Sequence, residues 1–488
     1  MKLLRLHISS LFGLLLFLYS ANAVHAQSRA SNPNALPEIG VVASDALTIE
    51  REKILGDNIM RQLRGQAPLI QDPVLSEYIQ DLGNRMVAQA DNAKFPFTFF
   101  LIRNPVINAF AFYGGHIGIH SGLITQADNE SELASVVAHE IAHVTQRHLA
   151  RSQQEAQRST PLQIASMLGG ILLAMADPEA GMAALSLGMA GNQQNQINYT
   201  RRMEQEADNI GIGILARAGF DPQGAPRFFG KLAAKAKSPT ANQLAFLRTH
   251  PIPEERIAET RARAERYGRV ERAPDLDFQL AKARLAARYS GDPARQTVHF
   301  IEQSNNTTGE IHLAAKYGLA IAYFELEEYE QAKAILVNLL QNDPENLFYL
   351  DALTDVHLRL QAPKLAISLL KPHWQLRPQN KVLALNYANA LIANQAYPGA
   401  IQVLRDLLLI DNQDYLAYSL LVDAYAQSQQ RKEMHKANAE RFALIAAYPL
   451  AIDELNYAYN RVQTDFLEKQ RIKARIEQLR NAQAELQN

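Results

Sequence analysis

Apolar residues along this chain change their spacing several times, and each change marks an element. From Leu47 to about Ala90 they recur at helical intervals. Residues 97–102 (FTFFLI) form an uninterrupted β-rich apolar run, which predicts a buried strand. Residues 108–120 (NAFAFYGGHIGIH) read as two strands joined at Gly114 and Gly115, a hairpin signal. Helical spacing returns at Asn129, the expected N-cap, with Glu132 reaching back to it and Leu133, Val136, Val137, Ile141 and Val144 forming the buried face. Residues 162–176 carry no charge. Asp177, Pro178 and Glu179 interrupt, and residues 180–191 continue in small side chains and Met. Neither half is long enough to span a bilayer. They read as a pair of core helices, or as an apolar lid or membrane-surface element giving peripheral membrane contact. Gly, Pro and mixed charge at residues 268–276 mark the next boundary.

Beyond that boundary the pattern repeats. Ala332, Ala366 and Ala400 stand 34 residues apart, as do Leu336, Leu370 and Leu404. Ala320, Thr354 and Ala388 keep the same step, as do Tyr323, His357, Leu391 and Tyr425. Pro344 and Pro378 follow it too, with Asn412 in third place. Small residues where two helices cross and Pro after the second helix, at period 34, are the tetratricopeptide signature. Residues 279–312 fit a degenerate first repeat and 415–448 a worn fourth one. Residues 466–486 form a capping helix with a polar face. Such an array offers a concave surface to peptides or partner proteins and has no chemistry of its own.

The N-terminus is an address. Lys2 and Arg5 precede a charge-free apolar run of 12 residues, Ile8 to Tyr19, followed by Ala21-Asn22-Ala23 and Val24-His25-Ala26. This is the pattern of a secretory signal peptide cleaved after Ala26. Export places the protein in the periplasm. The expected organisation is a signal peptide at 1–26, a linker at 27–44, a catalytic domain at 45–267, a linker at 268–276 and a repeat domain at 277–488. The fold class is mainly α: an α+β domain with a small sheet, of the zincin type expected from the HExxH at residues 139–143, then an α-helical solenoid.

Composition narrows the chemistry. With 49 Lys+Arg against 50 Asp+Glu the net charge is -1, so nucleic acid is not an expected partner. There is no cysteine, which removes disulfides, thiolate metal sites and cysteine nucleophiles. Any metal must sit on His, Asp or Glu. His139-Glu140-Ile141-Ala142-His143 is an HExxH motif. On a helix, residues four apart share a face, so His139 and His143 can reach one metal ion while Glu140 stands beside them as base. A catalytic zinc needs a third protein ligand. Glu204-Gln205-Glu206-Ala207-Asp208, in a helical stretch opened by Arg201 and Arg202, offers Glu204. Asp208, one turn on, is placed to hold the far ring nitrogen of a ligand histidine. Glu206 reads as an ordinary solvated acid, and His148, off the metal face, as structural.

These motifs carry a resemblance. HExxH and ExxAD, with NAFAFYGGHIGIHSGL before them and Thr249-His250-Pro251-Ile252-Pro253-Glu254-Glu255-Arg256 after, resemble the HtpX-like and CAAX-prenyl-protease-like zinc metallopeptidases. The export signal and the repeats resemble their periplasmic branch. Tyr113 departs from the family, many of whose members have Pro before the glycine pair. The resemblance implies one Zn2+ per chain on His139, His143 and Glu204, with Glu140 as catalytic base and substrate extended along an edge strand near residues 110–118. It also implies a metalloendopeptidase that associates with the outer-membrane β-barrel assembly machinery and degrades stalled or misfolded outer-membrane proteins, with a chaperone-like part in lipopolysaccharide-transport assembly. His250 admits three readings: an electrophilic partner for the oxyanion, a fourth zinc ligand that keeps the enzyme latent, or a packed histidine held by Pro251. The alternative to an enzyme is a periplasmic chaperone or scaffold that binds unfolded outer-membrane proteins through its repeats.

Overall fold

Helix α1 (Ile49–Gln66) starts where the Thr48 hydroxyl accepts from Arg51 N, and it stops before Pro68, which cannot continue a helix. The helical spacing read from 47 to 90 is therefore two helices. The second, α2 (Pro73–Val87), has Asp72 as N-cap, its side chain accepting from Leu75 N at 3.3 Å, and proline in the first turn. In a computed structural model, residues 47–157, 193–236 and 245–487 are described, all within one compact unit. The signal-peptide pattern, the linker that follows it and the apolar segment at 162–191 lie outside the described residues.

The expected strands form as β1 (Thr98–Ile102), β2 (Ala109–Phe112) and β3 (His116–His120). Their order is β1-β3-β2, with β3 parallel to β1 and antiparallel to β2. Gly118 thus lies on the central strand, and of the stretch expected at the edge only the β2 part is there. Tyr113, Gly114 and Gly115 make the connecting turn, with φ of 79° at Gly114 and 85° at Gly115. Helix α1 presses on this turn: a Cβ on Gly56 would sit 1.9 Å from the Tyr113 carbonyl oxygen.

Among the described residues seven further helices complete this half, of which the first six are α3 (Ser121–Gln126), α4 (Glu130–Thr145), α5 (His148–Gln157), α6 (Gln193–Arg217), α7 (Gly224–Ala236) and α8 (Ala245–Thr249). Then α9 (Glu254–Tyr267) ends at Gly268 in positive φ. At the start of α4, Asn129 Oδ1 accepts from Glu132 N at 3.1 Å as expected. The Glu132 carboxylate reaches one residue further back than expected, accepting from Asp128 N at 2.9 Å.

Among the described residues, 276–487 fold as six helix pairs. These are α10 (Leu276–Tyr289) with α11 (Pro293–Asn306), α12 (Gly309–Glu325) with α13 (Tyr329–Asn342), and α14 (Leu347–Arg359) with α15 (Pro363–Leu376). They continue with α16 (Lys381–Ala393) and α17 (Tyr397–Ile410), α18 (Tyr415–Gln427) and α19 (Arg431–Ala443), and α20 (Tyr448–Asn460) and α21 (Phe466–Gln487). The alanines and leucines at period 34 are fully buried at the helix crossings. The structure adds a backbone repeat: Glu327, Gln361, Gln395 and Gln429, one step of 34 apart, all have positive φ after the first helix of a pair.

The inner face of the array is not wholly free for partners. Helix α2 packs against α10, α14 and α16, all first helices of their pairs. One apolar cluster runs from Ile70 through the sheet and α4 to Val382. Arg284 on α10 lies at the centre, 1% exposed. Its Nε donates to Asp72 Oδ2 at 2.6 Å, its Nη2 to Asp351 Oδ2 at 2.6 Å and its Nη1 to the Tyr317 hydroxyl at 2.8 Å. Removing one partner of a buried ionic cluster leaves the others charged and unpaired, which costs about 3–5 kcal/mol. Arg284→Met should lower stability by about that much, measured by chemical denaturation; a loss under about 1 kcal/mol would mean that the network holds nothing together.

A second junction is acidic. Glu77, Asp81, Glu130, Asp275, Asp277, Asp343 and Glu345 line a cavity of about 320 Å3 between α2 and the repeats, with Arg85 as the cation among its lining residues. Burial, and next the charge of Asp275, push Glu130 up to about 7 against the opposing Arg85 and Arg272. A carboxyl raised in the folded state contributes most while it is protonated, and stability falls as pH rises from its ordinary value, 4.5, to about 7. Glu130→Gln should therefore raise the melting temperature relative to the parent at pH 8 and leave it unchanged at pH 4.5. An equal difference at both pH values would rule out this linkage.

Candidate metal centre

Helix α4 is buried along its whole length except at His143, which is partly exposed. Its apolar positions pack on β2, α6 and α7, so the HExxH residues cannot rotate away. Helix α6 crosses it closely: a Cβ on Gly211 would lie 3.1 Å from His139 N. This approach brings Glu204 and Asp208, one helical turn apart, over His139 and His143. Helix α6 begins at Gln193, eight residues before the Arg201 expected to open it.

Four side chains converge. One ligand atom each from His139, His143, Glu204 and His250 all lie within 4.8 Å of one another. His139 Nε2 is 3.0 Å from His143 Nε2 and 3.3 Å from His250 Nδ1. Glu204 Oε2 is 3.0 Å from His250 Nδ1 and 3.4 Å from His139 Nε2, and Glu204 Oε1 is 3.4 Å from His143 Nε2. Ligands at about 2.0–2.1 Å from a tetrahedral zinc stand about 3.3 Å apart, so the donor set and its spacing fit such an ion. His250 follows α8, its ring stacked on Phe246 at 4.6 Å between centroids. Its other nitrogen, Nε2, lies 3.5 Å from Glu140 Oε1.

The charges of the cluster are strongly coupled. Burial opposes ionisation of Glu204, but His250, His139 and His143 hold its carboxyl well below the usual range. Burial keeps His143 well below its ordinary value, hence neutral. Burial also opposes charge on His139, yet Asp208 and Glu204 outweigh it and push the ring up to about 10. Glu140 is 1% exposed, and burial raises its carboxyl, opposed by His250 and His139 and by the Ala111 N–H on β2.

Each HExxH histidine is backed on its far nitrogen. His139 Nδ1 is 3.0 Å from Asp208 Oδ1, as the helical spacing suggested. Asp208 is itself gripped by Arg256 on α9: Nε donates to Oδ2 at 2.7 Å and Nη2 to Oδ1 at 2.8 Å. His143 Nδ1 is 2.8 Å from His148 Nδ1, whose Nε2 is 3.2 Å from Glu206 Oε2, which also accepts from Arg151 at 2.9 Å. Glu206 is therefore paired rather than a free solvated acid, and His148 stands against the far nitrogen of His143 rather than apart from the site. Positions 204 and 206 point apart on α6, so Glu206 meets His148 and Arg151 rather than the cluster. Arg147 breaks α4 from α5 with φ of 52°, and that turn folds His148 back under His143 to meet it. Arg256 gave no signal beyond its place in the HPIPEER segment.

Comparison with known proteins follows the same division of the chain. Residues 73–264 match the model of peptidase family M48, and residues 357–433 match a tetratricopeptide repeat. The chain is 43% identical over 458 residues to the β-barrel assembly-enhancing protease of Escherichia coli (strain K12), covering 94% of each chain. It is 42% identical to the protein of the same name from Yersinia pestis, covering 91% of each. The metalloprotease LoiP of E. coli is 27% identical over 239 residues, 48% of this chain and 90% of that one.

The tight crossing at Gly211 is testable. Gly211→Ala would push α6 away from His139 and carry Glu204 and Asp208 with it. The expected result is a loss of about 1–3 kcal/mol in stability, read by denaturant unfolding, together with weaker metal binding. Parent-like metal content and stability would show that the crossing has slack.

Proposed function

The chain belongs to peptidase family M48 and, within it, to the β-barrel assembly-enhancing proteases, and on that premise we propose that it is a periplasmic zinc metalloendopeptidase acting on stalled or misfolded outer-membrane β-barrel proteins. The observation that carries the reading is the cluster of His139, His143, Glu204 and His250 beside Glu140, with one ligand atom from each within 4.8 Å of the others. The signal-peptide pattern at 1–26 supports the location. Among the described residues no helix is long and apolar enough to cross a membrane.

His139, His143 and Glu204 would hold one zinc ion, with His250 Nδ1 at the fourth position. Zinc bound there supplies a Lewis acid that polarises a carbonyl and makes water acidic near neutral pH. Glu140 takes the proton of the attacking water and returns it to the leaving amine. Its burial and raised carboxyl suit it to hold a proton between those steps. Asp208 fixes the His139 ring through Nδ1 so that Nε2 points inward. Substrate binds extended along the free edge of β2, where Phe110 and Ala111 are half-buried, and backbone pairing gives little sequence preference.

Of the three readings of His250, the geometry favours the fourth ligand. A catalytic zinc keeps one position open, and His250 would fill it, with its Nε2 3.5 Å from Glu140 Oε1. The resting enzyme is then latent, and a substrate or partner must draw His250 away. The repeats supply protein contacts, consistent with Leu376, Leu409 and Ile410 exposed at the ends of α15 and α17. They serve a chaperone-like part in assembly with the β-barrel machinery.

The test is metal content and casein cleavage. The parent should carry one zinc per chain. Glu140→Gln should keep the metal and lose at least about 100-fold in cleavage. His250→Ala should cleave faster than the parent. A loss of cleavage in His250→Ala would instead make it an oxyanion partner, and a metal-free parent would sink the enzymatic reading. If Glu140→Gln still supports outer-membrane assembly in cells, the binding role stands apart from proteolysis.

A further inference from the structure

Arg256 is almost completely buried, 4% exposed, and sits where three ligand-bearing pieces of chain meet. Its guanidinium has five N–H donors in one rigid plane. Two of them go to the carboxylate of Asp208, which backs His139. Nη1 donates to the carbonyl oxygen of Pro251 at 2.6 Å and lies 3.0 Å from Glu204 Oε2. The ring of Phe229 on α7 flanks the guanidinium carbon at 5.3 Å. We infer that Arg256 is a positioning residue for the metal centre. One planar fork sets Glu204, the Asp208–His139 pair and the turn carrying His250 in mutual register.

The physical case rests on what the fork joins. An Arg–Asp pair that only stabilised α9 against α6 would need no reach beyond Asp208. Here the same group also contacts Glu204 itself and the peptide carbonyl directly after His250. That turn is otherwise held by His250 N donating to Phe246 O at 2.8 Å and by the stacking of His250 on Phe246. Pro251 has no N–H, so its carbonyl is the hydrogen-bonding group by which its backbone can be fixed. Arg256 holds that carbonyl. Without it the His250 ring keeps its stacking partner but loses its lateral anchor. Asp208 and Glu204 are one turn apart on α6, both negative and both buried, and Arg256 offsets their mutual repulsion. A lysine carries the charge but not the fork, and cannot satisfy Asp208 in two places while reaching Pro251.

This inference rests on reading His139, His143, Glu204 and His250 as the ligand set, so the experiment separates the two. Cobalt(II) is titrated into the metal-free full chain of the parent, His250→Ala, Arg256→Lys and Arg256→Gln. The dissociation constant and the visible absorption of the bound ion are read together, with helical circular dichroism as the check on folding. The parent should bind one cobalt, and His250→Ala should change its band, because a ligand is lost. Arg256→Lys, which preserves charge and is the variant less prone to misfold, should bind cobalt about 10–100-fold more weakly and move the band toward that of His250→Ala. Arg256→Gln should do so further. A folded Arg256→Lys with parent-like affinity and band would overturn the positioning role and leave Arg256 a structural ion pair. A parent that binds no cobalt would remove the ligand set, and this inference with it.

Discussion

The molecule depends on a charge that cannot reach water. Arg284 is 1% exposed, buried among the apolar core, and an isolated guanidinium in that position would be prohibitive. It is tolerated because Asp72 and Asp351 face it, with the Tyr317 hydroxyl completing the set. Asn386 extends the network by donating to Asp351 Oδ1 at 2.8 Å, and Tyr289 reaches Asp72 at 3.0 Å. The partners come from the cap of α2, from α10 and from the first helices of the next three pairs. Satisfying one side chain therefore fixes where the repeats sit on the peptidase half. Asp72 does double duty, capping α2 with one oxygen and holding Arg284 with the other. Arg288 adds a more peripheral layer through Glu325 and Asp355.

The same logic recurs at smaller scale around the metal centre. His139 is backed by Asp208 and then Arg256; His143 is backed by His148, then Glu206 and Arg151. Each arm starts at a ligand-type ring nitrogen and ends on a guanidinium. The arms differ in depth. Arg256 is buried, whereas Arg151 is partly solvated, so the His139 arm is the stiffer one. On the third side His250 Nε2 lies 3.5 Å from Glu140 Oε1, beside the proposed base but without a hydrogen bond to it.

What could be read early was local in sequence. HExxH carries its geometry within one helical turn, and Glu204 and Asp208 do the same on α6. The hairpin was legible at Gly114 and Gly115 because only glycine adopts both positive φ values without strain. Period 34 exposed the repeats because every pair solves the same packing problem with Ala332, Leu336 and their equivalents. What escaped involved pairs of residues far apart in sequence. His148 looked off-face because helical spacing was assumed to continue past Thr145, and the turn at Arg147 ends it. Glu206 looked solvated because its partners, His148 and Arg151, lie 58 and 55 residues away in sequence.

The sequence alone marked the helices that carry HExxH and ExxAD, the helical repeats, the three strands, the family resemblance and His139, His143 and Glu204 of the cluster. Those follow from short-range periodicity and from side chains whose spacing is set within a few residues. Tertiary structure alone decided which nitrogen of His250 faces the cluster, that Arg256 joins Glu204, Asp208 and Pro251, and that α2 occupies part of the inner face of the repeats. Each of those depends on how separate elements dock, and docking is settled by the burial of whole faces and by the need to pair every buried charge. No local pattern in the chain encodes that outcome.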